Sequence, residues 1–116
     1  MDHRKDPRFP VQFRSSFSSI NIVSGVGVLS DLSSRGCRIF SSTPVKPGTA
    51  LAMHIEVAGE EPPLHVKQVV VRWCRDGNFG VEFLSLAPED WARLQLIIKE
   101  LERQPYERTR QSNTAA

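Results

Sequence analysis

With 116 residues, 40% of them hydrophobic and 24% charged, the chain has room for one packed core and the composition of an ordinary globular domain, which argues against a disordered or fibrous protein. A net charge of +2 is too small to predict general nucleic-acid binding, because that affinity scales with the phosphates a protein neutralises. The opening MDHRKDPRFP lacks the apolar run of a signal peptide and nowhere do eighteen apolar residues follow one another, so a cytoplasmic protein is expected.

Arg4, Lys5, Arg8 and Arg14 outweigh Asp2 and Asp6 in the first fourteen residues, making the N-terminal arm, residues 1–8, a small cationic patch. Phe9, Val11, Phe13 and Phe17 then recur at strand spacing, with Ser15 as the one interruption. Two further alternations, near 26–32 and 36–41, are divided by Ser34-Arg35-Gly36, where a glycine permits a turn that a β-carbon would resist. PVKPGT reads as a loop, ALAMHIEVA as a fourth strand, and GEEPP as its terminator. LHVKQVVVRWCRDGNFGVEF reads as a hairpin, with Asp76-Gly77 supplying the positive backbone angles of a tight turn. Beyond Leu86 the period changes: Trp91, Leu94, Ile98 and Leu101 mark one amphipathic helix, opened near Pro88 and stopped by Pro105.

Six strands with short connections and one terminal helix predict a mainly β protein, a six-stranded antiparallel barrel with a C-terminal α-helix. Residues 9–104 form this unit, and the polar tail 105–116 has too little to bury to be ordered. Trp73 is expected to pack in the barrel because valines precede it at strand spacing, and Trp91 to pack between helix and barrel. Cys37 and Cys74 form no CxxC pair and are expected to be two buried thiols.

Catalysis finds no foothold. His3, His54 and His65 form neither HxH nor HExxH, so no metal site is expected, and the Gly-rich phosphate loop and the nucleophile elbow are absent. Glu60 and Glu61 sit in a Pro-rich loop as solvated charges. Two patterns remain. Arg4 and Arg8 form an RxxxR, which eleven arginines produce about once by chance. Asp31, Ser33 and Gly36 form a rarer DxSxxG, which taken alone reads equally well as a capped turn.

In order and spacing, RKDPR, DLSSRG, VVVRW, GVEFLSL and APEDW together make residues 4 to about 103 resemble a PilZ domain, the bacterial receptor module for cyclic di-GMP. The resemblance implies a six-stranded barrel with a C-terminal helix, and a ligand held between the arm and the barrel surface. It assigns ligand binding to Arg4, Arg8, Asp31, Ser33 and Gly36, with Lys5 and Arg35 as possible secondary contacts. The chemistry agrees: an arginine fork pairs with guanine O6 and N7 or with phosphate oxygens, and an acceptor-only carboxylate takes the guanine N1–H and N2–H. The Ser33 hydroxyl would donate to a phosphate or sugar oxygen. The implied protein is a single-domain receptor or adaptor whose arm folds over cyclic di-GMP and signals through an unidentified protein partner. The rivals are a PilZ-like adaptor independent of the ligand and a small-barrel nucleic-acid binder using the basic arm. Whether one ligand or a stacked pair binds is left open, as is the downstream partner.

Overall fold

A computed structural model describes residues 7–19 and 24–103. The expectations for Arg4, Lys5, His3 and the tail fall outside these residues. In chain order the elements are β1 (Phe9–Ser18), β2 (Ser24–Leu32), β3 (Gly36–Phe40), β4 (Ala50–Glu56), β5 (Leu64–Arg75), β6 (Asn78–Ser85) and α1 (Pro88–Arg103). The strands form a closed antiparallel barrel in the order β1-β2-β3-β6-β5-β4, so the architecture expected from the sequence is the one adopted.

Alternation builds the interior. Phe17, Leu29, Ile39, Met53, Val69 and Phe79 all point inward and are almost wholly buried, and Phe17 meets Phe79 edge to face at 5.3 Å. Ser15, the polar interruption in β1, also points inward and donates to the Gly27 carbonyl at 3.1 Å, which removes the cost of burying it. The hairpin between β5 and β6 turns on Asp76 and Gly77, with φ of 52° and 78°, as the Asp-Gly pair requires. β1 meets β4 only along residues 14–18; Phe9, Pro10 and Phe13 are paired with β2 alone, with a register shift between Pro10 and Phe13.

The register is interrupted at several places, and two of these interruptions decide which side chains face outward. Leu29 pairs with Ile39 and Leu32 with Cys37, so between these pairs Ser30 and Asp31 of β2 oppose Arg38 of β3 alone. The extra residue inverts the alternation and turns Asp31 outward, opposite Arg38. In β5, Val71 pairs with Val81 but Trp73 pairs with Gly80, a second offset of one residue. Trp73 is therefore 41% exposed rather than packed inside the barrel, because the valine spacing does not continue through the bulge. Its indole covers the outer surface of Gly80, with Nε1 and Cε2 in the space a β-carbon would occupy.

The helix buries Leu94 and Ile97, with Ile98 and Leu101 partly covered, against the barrel. The apolar stripe is thus centred on Leu94 and Ile97, and Trp91, expected between helix and barrel, sits at its edge 45% exposed. Asp90 accepts the His65 backbone N–H at 3.2 Å, and Arg93 donates to the Pro62 carbonyl at 2.7 Å, so the first helical turns are tied to the start of β5. Of the two cysteines only Cys37 is buried; Cys74 lies just beyond the second bulge, exposed, with its Sγ 3.2 Å from the Val45 carbonyl oxygen. Burial pushes the Cys37 thiol well above its ordinary range, and the nearby Asp31 carboxylate adds to the effect, so it is an inert core group. Among the described residues no helix is long and apolar enough to cross a membrane.

Candidate functional site

The turn between β2 and β3 is built around one hydroxyl. Ser33 Oγ accepts the backbone N–H groups of Arg35 and Gly36, both at 3.1 Å, and donates to the Gly36 carbonyl at 3.2 Å. Ser33 is 2% exposed, so its proton and lone pairs are committed to the turn itself. Gly36 has an ordinary backbone conformation, and its need for glycine is one of space: a β-carbon there would stand 2.1 Å from the Val81 carbonyl oxygen on β6. The glycine that the sequence reads as permitting the turn is thus required by the close approach of a neighbouring strand. Phe83 N–H donates to the Arg35 carbonyl at 2.8 Å, which binds the turn to the end of β6.

Asp31 leaves the barrel surface just before this turn. Its Oδ1 accepts the Arg38 backbone N–H at 3.0 Å and an Arg8 guanidinium N–H, also at 3.0 Å. Its Oδ2 stands 3.9 Å from Arg38 Nε, which in turn donates to Ser30 Oγ at 3.0 Å. The structure thus brings Arg8, at the base of the arm, onto Asp31 across 23 residues of sequence. Asp31 keeps 18% of its side chain exposed and Arg8 41%, so the pair is accessible from solvent.

One row of the outer surface runs Asp31, Arg38, Gly80, Trp73 across β2, β3, β6 and β5. On the next row Glu82 accepts two N–H groups from Arg72, at 2.8 and 2.6 Å, and lies 3.8 Å from Arg35. The Arg72 hydrogen bonds, and then the charge of that guanidinium, hold the Glu82 carboxyl below its ordinary value. The result is a surface of four arginines, two carboxylates and one indole on four adjoining strands, the turn between β2 and β3, and the base of the arm.

A family model described as the PilZ domain matches residues 2–100. The chain belongs to the PilZ domain family. In three dimensions it is similar to the PilZ domain of YcgR from Escherichia coli with c-di-GMP, at TM-score 0.66 and 21% identity, over 93% of this chain and 98% of that one. It is also similar to the Bacillus subtilis inhibitor of motility MotI/DgrA, at TM-score 0.69 and 17% identity, over 90% of this chain and 53% of that one. A third likeness is to the K. pneumonia MrkH–c-di-GMP complex, at TM-score 0.70 and 17% identity, over 90% of this chain and 54% of that one. The chain therefore spans about half the length of MotI/DgrA and MrkH, and nearly all of the YcgR domain. No curated protein sequence matches it significantly.

Within the PilZ barrel, Arg8 and Asp31 are in contact, Ser33 and Gly36 shape the turn beneath them, and Arg35 extends from that turn toward Glu82. Arg35 also lines an open hollow of about 540 Å³ with Ser34, Glu82, Phe83, Trp91 and Gln95, between the turn and the helix. Arg38 and Trp73 were missed as surface groups beside Asp31. Arg38 was recoverable, since it stands two residues beyond Gly36 on a strand whose Cys37 and Ile39 face inward. Trp73 was not, because its direction depends on the bulge. Among the described residues no group of three or more His, Cys, Asp or Glu gathers as a metal site.

Proposed function

We propose that the chain is a cyclic di-GMP receptor module in which Arg8 and Asp31 divide the recognition of a guanine nucleotide. The observation that carries this reading is the 3.0 Å contact between them: an anion-binding fork and a guanine acceptor already share one surface point. Both short contacts fall on Asp31 Oδ1, so Oδ2 is the oxygen oriented to accept guanine N1–H or N2–H. Arg8 exchanges its carboxylate partner for a phosphate or for guanine O6 and N7 as the ligand arrives. Arg4 and Lys5, outside the described residues, bring further cationic contacts when the arm closes.

Ser33 and Gly36 act through the turn, aiming Asp31 and Arg35, rather than as direct donors. Trp73 adds an exposed ring whose face a guanine can stack on, a contact worth about 1–3 kcal/mol. The output is the altered arm and the surface it then presents to a partner protein.

Calorimetry at fixed salt tests the assignment. Arg8→Ala is expected to weaken cyclic di-GMP binding by about tenfold or more, as the loss of one good bidentate contact of roughly 1–3 kcal/mol implies. Asp31→Ala is expected to lower the preference for guanine over adenine cyclic dinucleotides. Unchanged affinity in the first, or equal losses for both ligands in the second, contradicts the corresponding role. A steep salt dependence with oligonucleotides and no response to cyclic di-GMP would favour the nucleic-acid reading instead.

A further inference from the structure

Across the barrel from Asp31, strands β4 and β5 set His54 directly opposite His65, in register as Cα partners. The two imidazoles are parallel within 3° and their centroids are 4.4 Å apart. They stand eleven positions apart in sequence, with a Pro-rich loop between, so neither the spacing nor any motif announces the pair. His54 is exposed and His65 half-buried, and both rings project from the outer face of the sheet. Ser16 on β1 stands beside His54 in the same cross-strand row. The Asp90 carboxylate at the start of α1 accepts the His65 backbone N–H at 3.2 Å and stands 3.9 Å from Arg93 Nη1, so its charge is already shared with a guanidinium.

We propose that His54 and His65 form a two-histidine binding site for a divalent transition-metal ion, with zinc as the simplest occupant. Imidazole nitrogen is a preferred donor for zinc, copper and nickel, and two imidazoles on neighbouring strands supply two donors from a rigid frame. Two nitrogens on a tetrahedral zinc, with bonds of about 2.0–2.1 Å, stand roughly 3.3 Å apart. The rings are 4.4 Å apart centre to centre, so their edges must close by about 1 Å. Parallel rings also hold their nitrogen lone pairs in parallel planes, so each imidazole must turn by roughly 50° to aim at a shared tetrahedral ion. The exposed side of the pair is open to solvent, and side-chain rotation supplies this with the backbone register unchanged.

Two protein donors leave the remaining coordination positions to water. That makes an exchangeable surface site, unlike the closed four-ligand sites that hold a fold together. β4 and β5 are separated from Asp31 on β2 by β1 on one side and by β3 and β6 on the other, so the proposed ion and the proposed nucleotide touch different surfaces. The inference is thus independent of the receptor reading.

The test is zinc chloride titrated calorimetrically into untagged protein carrying Cys74→Ser, which removes the exposed thiol as a competing ligand. One equivalent of zinc is expected to bind, and His54→Gln or His65→Gln in that background is expected to weaken it by at least about tenfold, the scale on which even outer-sphere partners count. His3→Ala should leave the titration unchanged. Absence of zinc binding by the Cys74→Ser protein overturns the proposal, and so does binding that survives either glutamine substitution. The unsubstituted chain offers a check that needs no histidine variant: the ring proton resonances of His54 and His65 should shift together as zinc is added, and movement of neither, or of one alone, overturns it equally.

Discussion

A β-carbon built on Gly36 would stand 2.1 Å from the carbonyl oxygen of Val81, a backbone atom on the paired strand with no rotamer through which to yield. Gly36→Ala must therefore separate β3 from β6 at the foot of the turn, and overpacking of this kind costs about 1–3 kcal/mol. Urea unfolding should register that loss, and calorimetry should find cyclic di-GMP binding weakened as well, because the turn that aims Asp31 and Arg35 is displaced. Stability equal to that of the unsubstituted chain would refute the steric account. At this scale the sequence was readable where a function occupies consecutive positions. Asp31, Ser33 and Gly36 lie within six residues and form a pattern, whereas Glu82 becomes a neighbour of the site only through strand pairing.

Whole strands were legible because an inward face of apolar residues leaves a period of two, and the helix because its buried face leaves a period near 3.6. What the period cannot report is a change of phase within a strand. Trp73 has the parity of Val69 and Val71 and was assigned to the interior, yet the bulge turns it out onto Gly80. This gives Gly80 a role in the element rather than in the core. A methyl group at Gly80 would collide with the indole, a side chain that can swing away, so Gly80→Ala should change stability by less than about 1 kcal/mol while weakening cyclic di-GMP binding through the displaced ring. Equal melting temperatures with weakened binding in calorimetry would support Trp73 as a stacking platform; unaltered binding would remove it. On the neighbouring row the bond between Arg72 and Glu82 joins β5 to β6. Because the Glu82 carboxyl is held below its ordinary value of 4.5, chiefly by the Arg72 hydrogen bonds, its contribution to stability is present above about that pH and is lost as pH falls through the lowered value. Glu82→Gln should therefore melt below the parent at neutral pH, with the gap closing as pH falls below 4.5. A gap that stays constant from pH 7 to pH 3 would show that the carboxylate charge is not its source.

For the molecule as a whole, closure of the barrel was expected from the cost of exposed strand edges, but the seam that accomplishes it was not legible: β1 and β4 are separated by two strands in sequence and no local pattern links them. A ligand that binds the native state alone stabilises it by mass action, about 2.7 kcal/mol at a hundredfold excess over the dissociation constant. In a domain of this size that corresponds to a rise in melting temperature on the order of 10 °C, so a thermal melt with cyclic di-GMP is the broadest test of the receptor reading. No rise under those conditions would count against it. The seam also constrains how such a receptor could move. Residues 14–18 of β1 are clamped by a neighbour on each side, while Phe9, Pro10 and Phe13, on the stretch that leads out to Arg8, are paired on one flank only. That asymmetry makes the first half of β1 a tongue anchored to a fixed hoop: tension applied through the arm can peel or seat it without prising the hoop apart, so the molecule can register an occupant at its rim while its hydrocarbon centre stays undisturbed.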